Sequence, residues 1–156
     1  MIIDLTGKTA IITGSSGGIG FACAQGFARA GADVVINGRS DETVGRALER
    51  LRAEFPERAF AGAVADLNTA EGTARIIEAA PSCDILVNNA AVNIIENVLT
   101  QPDEVFFELF EINFLAGVRL ARHYMPGMLE RNWGRILFHN SEQALRPSPD
   151  MAAYGA

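Results

Sequence analysis

The chain has 156 residues, of which 49% are hydrophobic and 21% are charged, a composition that excludes an intrinsically disordered protein. The net charge of −6 argues against a nucleic-acid-binding surface, and no apolar run approaches the roughly 20 residues that cross a bilayer. No signal-peptide pattern precedes Asp4, so we expect a cytoplasmic protein that forms a single domain over residues 1–156. Cys23 and Cys83 are too few for a zinc site or a disulfide framework, and no metal is expected.

The first stretch that indicates a binding site is Thr9–Gly20, which reads T-A-I-I-T-G-S-S-G-G-I-G. An apolar strand pattern over Ala10–Thr13 passes through glycines into a helical pattern over Phe21–Ala30. Strand, glycine turn and helix are the order that a dinucleotide site needs. Glycines let the backbone approach a pyrophosphate, and a helix N-terminus offers free N–H groups. The alternative is a glycine-rich turn without a ligand.

The second strand, predicted over Asp33–Asn37, completes a strand–helix–strand unit and so predicts a parallel sheet. The residues that follow such a strand discriminate between the two nicotinamide dinucleotides. An acidic side chain bonds the ribose hydroxyls of NAD(H), whereas an arginine pairs with the 2′-phosphate of NADP(H). Here Gly38, Arg39 and Ser40 follow, without an acid, so NADP(H) is favoured over NAD(H). Arg39 as a solvated turn residue is the alternative.

Strands and helices continue to alternate along the rest of the chain. A long helical pattern begins at Pro102 and runs through Ala121, and Pro126 is expected to bend or end it. The sequence predicts an α/β fold, a Rossmann-type doubly wound parallel sheet in three α/β/α layers with strand order 3-2-1-4-5. The other predicted segments are a helix capped by Ser40 and closed by Pro56, a strand over Ala59–Ala65, a helix over Thr69–Ala80, and strands over Asp84–Val87 and Arg135–His139.

Ligands of such sheets bind at the carboxyl ends of the strands, where further candidate residues fall. Asp66 follows the third strand, and Asn88-Asn89-Ala90-Ala91 follow the fourth, where small residues would let a ribose lie against the backbone and the asparagines would tie strands together. Ser141 follows the fifth strand, and Tyr154 stands thirteen residues later. Asn113 lies among apolar residues of the long helix, so something specific must hold its amide by hydrogen bonds.

These motifs resemble those of the short-chain dehydrogenase/reductase family. The resemblance rests on the T-G-x-x-x-G-I-G spacing, on N-N-A-A where the family has N-N-A-G, and on the serine–tyrosine spacing. It implies hydride transfer between a nicotinamide and a small carbonyl or alcohol substrate. It also implies that Tyr154 donates or accepts the proton, Ser141 orients the carbonyl and Asn113 supports a proton relay. The implied cofactor contacts are Gly14, Ser16, Gly18, Ile19, Gly20, Arg39, Asp66, Leu67, Asn88 and Ala90.

The family's lysine, four residues after the tyrosine, falls past Ala156. Two explanations stay open: part of an active reductase, which we favour, or a truncated dinucleotide-binding module that does not turn over. The resemblance also implies a homo-oligomer, either a dimer or a tetramer. His139 and Glu142 flank the site, and no role is assigned to them.

Overall fold

The computed structural model describes residues 3–155; Met1, Ile2 and Ala156, which the predicted domain includes, lie outside them. Within the described residues, a parallel sheet is formed by β1 (Thr9–Ile12), β2 (Asp33–Gly38), β3 (Phe60–Val64), β4 (Ile85–Asn88) and β5 (Arg135–Phe138). The strands lie in the order β3-β2-β1-β4-β5, which confirms the predicted order.

Helices connect these strands and cover the sheet. They are α1 (Gly18–Arg29), α2 (Asp41–Glu54), α3 (Ala70–Ala79), α4 (Asp103–Phe110), α5 (Ala116–Glu130) and α6 (Ala152–Gly155). A π-helical turn, Glu111–Leu115, joins α4 to α5, and short 3₁₀ turns at Glu142–Ala144 and Pro149–Met151 precede α6. Over the part of the chain that the structure describes, none of the helices combines the length and apolarity that a bilayer crossing requires.

The core consists of two apolar layers, one on each face of the sheet. Ile12 packs with Phe21 of α1 on one face, and its neighbour Ile11 packs with Ile76 of α3 and Leu120 of α5 on the other. Successive side chains of a strand point to opposite faces, so the central strand must be apolar at consecutive positions. The three-layer α/β/α arrangement follows.

Two helices begin with a side-chain cap. The Oγ of Ser40 accepts the N–H of Thr43 at the start of α2 (3.3 Å), and the Oγ1 of Thr69 accepts the N–H of Gly72 at the start of α3 (3.1 Å). Each hydroxyl satisfies a first-turn N–H group that has no partner inside the helix. The cap predicted at Ser40 is confirmed.

The long helical pattern is not one continuous helix with a stop at the proline. Of the two effects expected of Pro126, a bend or an end, the end is wrong, because α5 continues to Glu130. Tyr124 and Met128 are buried on either side of the proline, and their packing holds the helix together despite the missing N–H group. The pattern is also interrupted, since the π-helical turn separates α4 from α5 and contains Asn113.

Gly72 in α3 is expected to be intolerant of alanine. A Cβ there would overlap the carbonyl oxygen of Asp66, so the Gly72→Ala backbone must shift and the free energy of unfolding should fall by about 1–3 kcal/mol. The matched control is Gly45→Ala in α2, where a Cβ meets open space; alanine should raise the free energy of unfolding there by about 0.5–1 kcal/mol. Urea unfolding measures the free energy of unfolding of both variants. Changes of the same sign in the two variants would contradict the expectation that only Gly72 requires glycine.

The two thiols are expected to differ in reactivity. Cys83 is buried, and burial raises the pKa of its thiol to about 12, with the charge of Asp84 adding to the increase. Because the thiolate is the reactive form, an alkylating reagent at mildly alkaline pH should modify the half-buried Cys23 well before Cys83. Peptide mass spectrometry over time checks this. The control is denatured protein, in which the two cysteines should react alike. Equal alkylation rates of Cys23 and Cys83 in the native protein would contradict the expected difference.

Candidate functional site

The site is organised around the turn that follows β1. Gly14 has a φ of +60°, in the left-handed region, and a Cβ on it would lie only 2.8 Å from the Cα of Ala90. Both the backbone angle and the close approach therefore require glycine. The turn passes directly against the end of β4.

A buried asparagine fixes this turn to the neighbouring strands. The Oδ1 of Asn37 accepts the N–H of Gly14 (3.0 Å), and its Nδ2 donates to the carbonyl oxygens of Ala63 (3.0 Å) and Ala65 (3.1 Å). Asn37 is only 2% exposed, so these bonds are shielded from water. Asn37 was not among the predicted site residues; a polar residue at the end of an apolar strand was the signal that could have indicated it.

A buried serine adds a second set of bonds between the turn and β2. The Oγ of Ser15 donates to the carbonyl of Ile12 (2.6 Å) and accepts the N–H of Asn37 (3.0 Å). The N–H of Ser15 donates to the carbonyl of Asn37 (2.8 Å). The backbone between β1 and α1 is thus held by hydrogen bonds before any ligand is present.

The other side of the turn is held by the residues after β4. The Nδ2 of Asn89 donates to the carbonyl oxygens of Thr13 (3.0 Å) and Gly14 (3.1 Å), and the hydroxyl of Thr13 accepts the N–H groups of Asn89 (3.0 Å) and Ala90 (2.9 Å). The Nδ2 of Asn88 donates to the carbonyl of Leu137 in β5 (3.2 Å). The expectation that the asparagines tie neighbouring strands together is confirmed.

These strand ends surround a cleft of about 420 Å³ at the carboxyl edge of the sheet. The N-terminus of α1 opens onto it. Nine of the ten predicted cofactor contacts line it: Gly14, Ser16, Gly18, Ile19, Gly20, Arg39, Asp66, Leu67 and Ala90. The lining residues that the sequence analysis did not assign are Gly17, Asn37, Gly38, Ala65, Asn89, Ala91, Val92 and Ile112.

Asn88 is the one predicted cofactor contact that does not line the cleft. Its side chain is buried between β5 and Gly117 of α5, where a glycine Cβ would lie 3.1 Å from the Asn88 Oδ1. Asn89 lines the cleft instead, because consecutive side chains at a strand end face opposite sides of the sheet.

The end of β2 carries the one charged group that the sequence analysis assigned to cofactor choice. Arg39 is exposed and lines the cleft. A Cβ on the preceding Gly38 would lie 2.8 Å from the Oγ of Ser16, so no larger side chain fits there unless Ser16 moves. Asp66, also exposed on the cleft, accepts the N–H of Asn68 (3.1 Å).

The start of α1 suits a phosphate. Unlike α2 and α3, α1 has no side-chain cap: its N-cap residue is Gly17. At Gly17 and Gly18 a Cβ would meet nothing within 4 Å, so a ligand can approach the backbone closely. Open backbone, uncapped N–H groups and the positive end of a helix dipole together fit a pyrophosphate. Within residues 3–155, no three His, Cys, Asp or Glu side chains are grouped so as to hold a metal ion.

The side-chain amide of Asn113 makes two hydrogen bonds with the backbone of Val92. Its Oδ1 accepts the N–H of Val92 (2.9 Å), and its Nδ2 donates to the carbonyl of the same residue (3.0 Å). The expectation that something specific holds this amide is confirmed. The π-helical turn places Asn113 opposite the segment that follows β4.

The three predicted catalytic residues are only partly brought together. Asn113 and Tyr154 line one apolar pocket of about 500 Å³, walled mainly by phenylalanines of α4. Ser141 lines neither that pocket nor the cleft, and its Oγ accepts the N–H of Gln143 (3.3 Å). Among the hydrogen bonds of the described residues, none joins Asn113, Ser141 and Tyr154 to one another.

Two sequence relatives match all or nearly all of this chain. An uncharacterized oxidoreductase of Bacillus subtilis, YvaG, is 42% identical over 156 residues, which is 100% of this chain and 59% of the relative. D-beta-hydroxybutyrate dehydrogenase of Cupriavidus necator is 32% identical over 156 residues, which covers 97% of this chain and 60% of the relative. The chain thus spans about three-fifths of the length of the relatives it matches.

Solved structures and a family model agree with these relatives. L-sorbose reductase from Gluconobacter frateurii, in complex with NADPH and L-sorbose, superposes with a TM-score of 0.94 at 35% identity, covering 99% of this chain and 60% of the reductase. Residues 8–156 match the family model described as short chain dehydrogenase. The chain therefore belongs to the short-chain dehydrogenase/reductase family of oxidoreductases.

Proposed function

We propose that residues 1–156 form one NADP(H)-binding domain of an oxidoreductase that transfers hydride between a nicotinamide and a small carbonyl or alcohol substrate. The observation that carries the proposal is the cleft itself, which has an uncapped helix N-terminus at one place and Arg39 at another. NADP(H) has a pyrophosphate and a ribose 2′-phosphate, which match these two features.

The pyrophosphate is assigned to the start of α1. The N–H groups of its first turn have no side-chain acceptor, whereas α2 and α3 use the hydroxyls of Ser40 and Thr69. Gly17 and Gly18 leave the space that the phosphate oxygens need. The bonds of Asn37 and Asn89 hold this backbone in place, so little ordering is needed on binding.

The 2′-phosphate of NADP(H) is assigned to Arg39. A guanidinium forms charge-assisted, bidentate bonds with phosphate, and the residue before Arg39 is Gly38, which brings no acidic side chain that would repel the phosphate. Two similar proteins support NADP(H) as the cofactor: the L-sorbose reductase was solved with NADPH, and a 3-oxoacyl (acyl-carrier-protein) reductase from Agrobacterium tumefaciens, with a TM-score of 0.91 at 32% identity, was solved with NADP bound.

For the chemistry, the bound nicotinamide supplies a hydride to the substrate carbon in reduction and accepts one in oxidation. Tyr154 is proposed to give the phenolic proton to the carbonyl oxygen in reduction and to take it back in oxidation. The Ser141 hydroxyl is proposed to donate a hydrogen bond to the same oxygen. Asn113, fixed by Val92, is proposed to support the proton path.

A non-catalytic dinucleotide-binding module is the second candidate. It is favoured by one observation: Tyr154 and Asn113 share a phenylalanine-walled pocket that Ser141 does not line. In this alternative the cleft binds NADP(H), and no carbonyl compound is reduced. The homo-oligomer also belongs to the proposal; it is supported by exposed apolar side chains on and near α4 and α5, namely Phe107, Phe110, Phe114, Met125 and Leu129.

Cofactor choice is tested by Arg39→Ala. Loss of a charge-assisted phosphate contact should weaken NADPH binding about tenfold to a hundredfold and leave NADH binding nearly unchanged. Calorimetric titration with both nucleotides measures this. Arg75→Ala, at an exposed position on α3, is the matched control and should bind NADPH like the wild type. Equal loss of NADPH and NADH binding in Arg39→Ala would contradict the phosphate assignment.

Catalysis is tested by Tyr154→Phe. The variant should bind NADPH like the wild type but oxidise it at least about a hundredfold more slowly with a carbonyl substrate, because the proton donor is gone. The assay follows NADPH absorbance with a panel of ketones, aldehydes, ketoses and 3-oxoacyl thioesters. A wild type that binds NADPH but reduces no member of this panel would favour the non-catalytic module.

A further inference from the structure

We propose that His139 is a positioning residue that donates its Nδ1–H to Asn89 and thereby holds the turn around Gly14. This inference rests on the proposed dinucleotide cleft. His139 follows β5, two residues before Ser141, and is exposed. Neither the proposed proton transfer nor the proposed phosphate contacts use it.

The orientation of the Asn89 amide follows from its partners. One end of the amide lies 3.0 Å from the carbonyl oxygen of Thr13 and 3.1 Å from that of Gly14. Carbonyl oxygens only accept hydrogen bonds, so the NH₂ end must face them. The Oδ1 of Asn89 therefore turns toward His139, whose Nδ1 lies 3.1 Å away.

This orientation determines the tautomer of His139. The Oδ1 of Asn89 can only accept, so the proton of the neutral ring must sit on Nδ1, which leaves Nε2 unprotonated. The chain's other histidine has the opposite constraint. The Nε2 of His123 lies 3.0 Å from the carbonyl oxygen of Pro81, so that ring must carry its proton on Nε2. The two imidazoles of the protein are thus expected to differ in tautomer.

A continuous chain of hydrogen bonds results. The backbone N–H of His139 donates to the carbonyl of Asn88 (2.9 Å), which anchors the residue to the end of β4. From there the ring donates to Asn89, and the Asn89 amide donates to Thr13 and Gly14. His139 thereby connects the segment that carries Ser141 to the turn that lines the cleft.

The matched pair of variants is His139→Asn and His139→Leu. An asparagine places its amide nitrogen the same number of bonds from the backbone as Nδ1, so it retains the donor. A leucine is similar in bulk but donates nothing. His123→Leu is the control, because it removes an exposed histidine of α5 that is bonded to Pro81 and not to Asn89.

The first measurement is the tautomer, read from ¹⁵N–¹H correlations of the neutral imidazoles in the wild type. His123→Leu leaves a single imidazole and so assigns the signals. The proposal expects Nδ1–H at His139 and Nε2–H at His123. An Nε2–H tautomer at His139 would overturn it.

The second measurement compares amide hydrogen exchange over residues 14–18 and NADPH affinity in the variants. In His139→Leu the exchange should be faster and NADPH binding about threefold to tenfold weaker, as expected for one lost hydrogen bond. His139→Asn should stay within about twofold of the wild type in affinity, as should His123→Leu. Equal changes in His139→Leu and His139→Asn, or unchanged exchange in His139→Leu, would overturn the positioning role.

The two proposals fail in different ways. A wild type that binds neither NADPH nor NADH would overturn the proposed function, and the tautomer and the exchange data would still decide the role of His139. Tight NADPH binding together with an Nε2–H ring at His139 would overturn the positioning role alone. If His139→Leu does not fold, the tautomer of the wild type and the NADPH affinity of His139→Asn still test the positioning role of His139.

Discussion

The hydrogen bond from the Gly14 N–H to the Asn37 side chain is the constraint on which the cleft depends. The buried amide of Asn37 also donates to two carbonyl oxygens at the end of β3, so one side chain sets the relative positions of three strand ends. Removing it would take one hydrogen bond from each of three backbone groups, at a cost of about 0.5–1.5 kcal/mol per bond. The shape of the cleft is therefore determined inside the sheet, and the exposed turns only complete it.

Much of the fold could be predicted because local patterns encode it. Apolar runs separated by glycines and amphipathic segments gave five strands in the observed order, with bounds near those in the structure. The path of the long helix could not be predicted in the same way. Pro126 is locally a helix breaker, but α5 continues past it and buries Tyr124 and Met128 on either side of the proline. The π-helical turn likewise could not be predicted; it contains Asn113, whose two bonds reach Val92, 21 residues earlier in the chain.

The residues of the candidate site likewise include some that local sequence predicts and some that depend on the folded structure. The glycine loop and Arg39 were predicted because glycines and a charge after a strand have direct backbone and electrostatic consequences. The choice between Asn88 and Asn89 depends on which face of the sheet each side chain meets, and the sequence does not state that face. The relation of Ser141 to Tyr154 depends on the course of two short 3₁₀ turns between them, which a spacing of thirteen residues does not specify.

The central place of β1 also bears on the order in which the molecule folds. Its pairing with β2 closes over one intervening helix, whereas on the other side Thr9 bonds Asp84, 75 residues along the chain. Contacts of such long separation form late, because a large loop must close first. During synthesis the half made of β1, β2 and β3 can therefore assemble while one edge of β1 is still open. The contacts of Gly14 with Ala90 and Asn89 depend on this long-range pairing of β1 with β4, so the cleft forms only after β4 has joined the sheet.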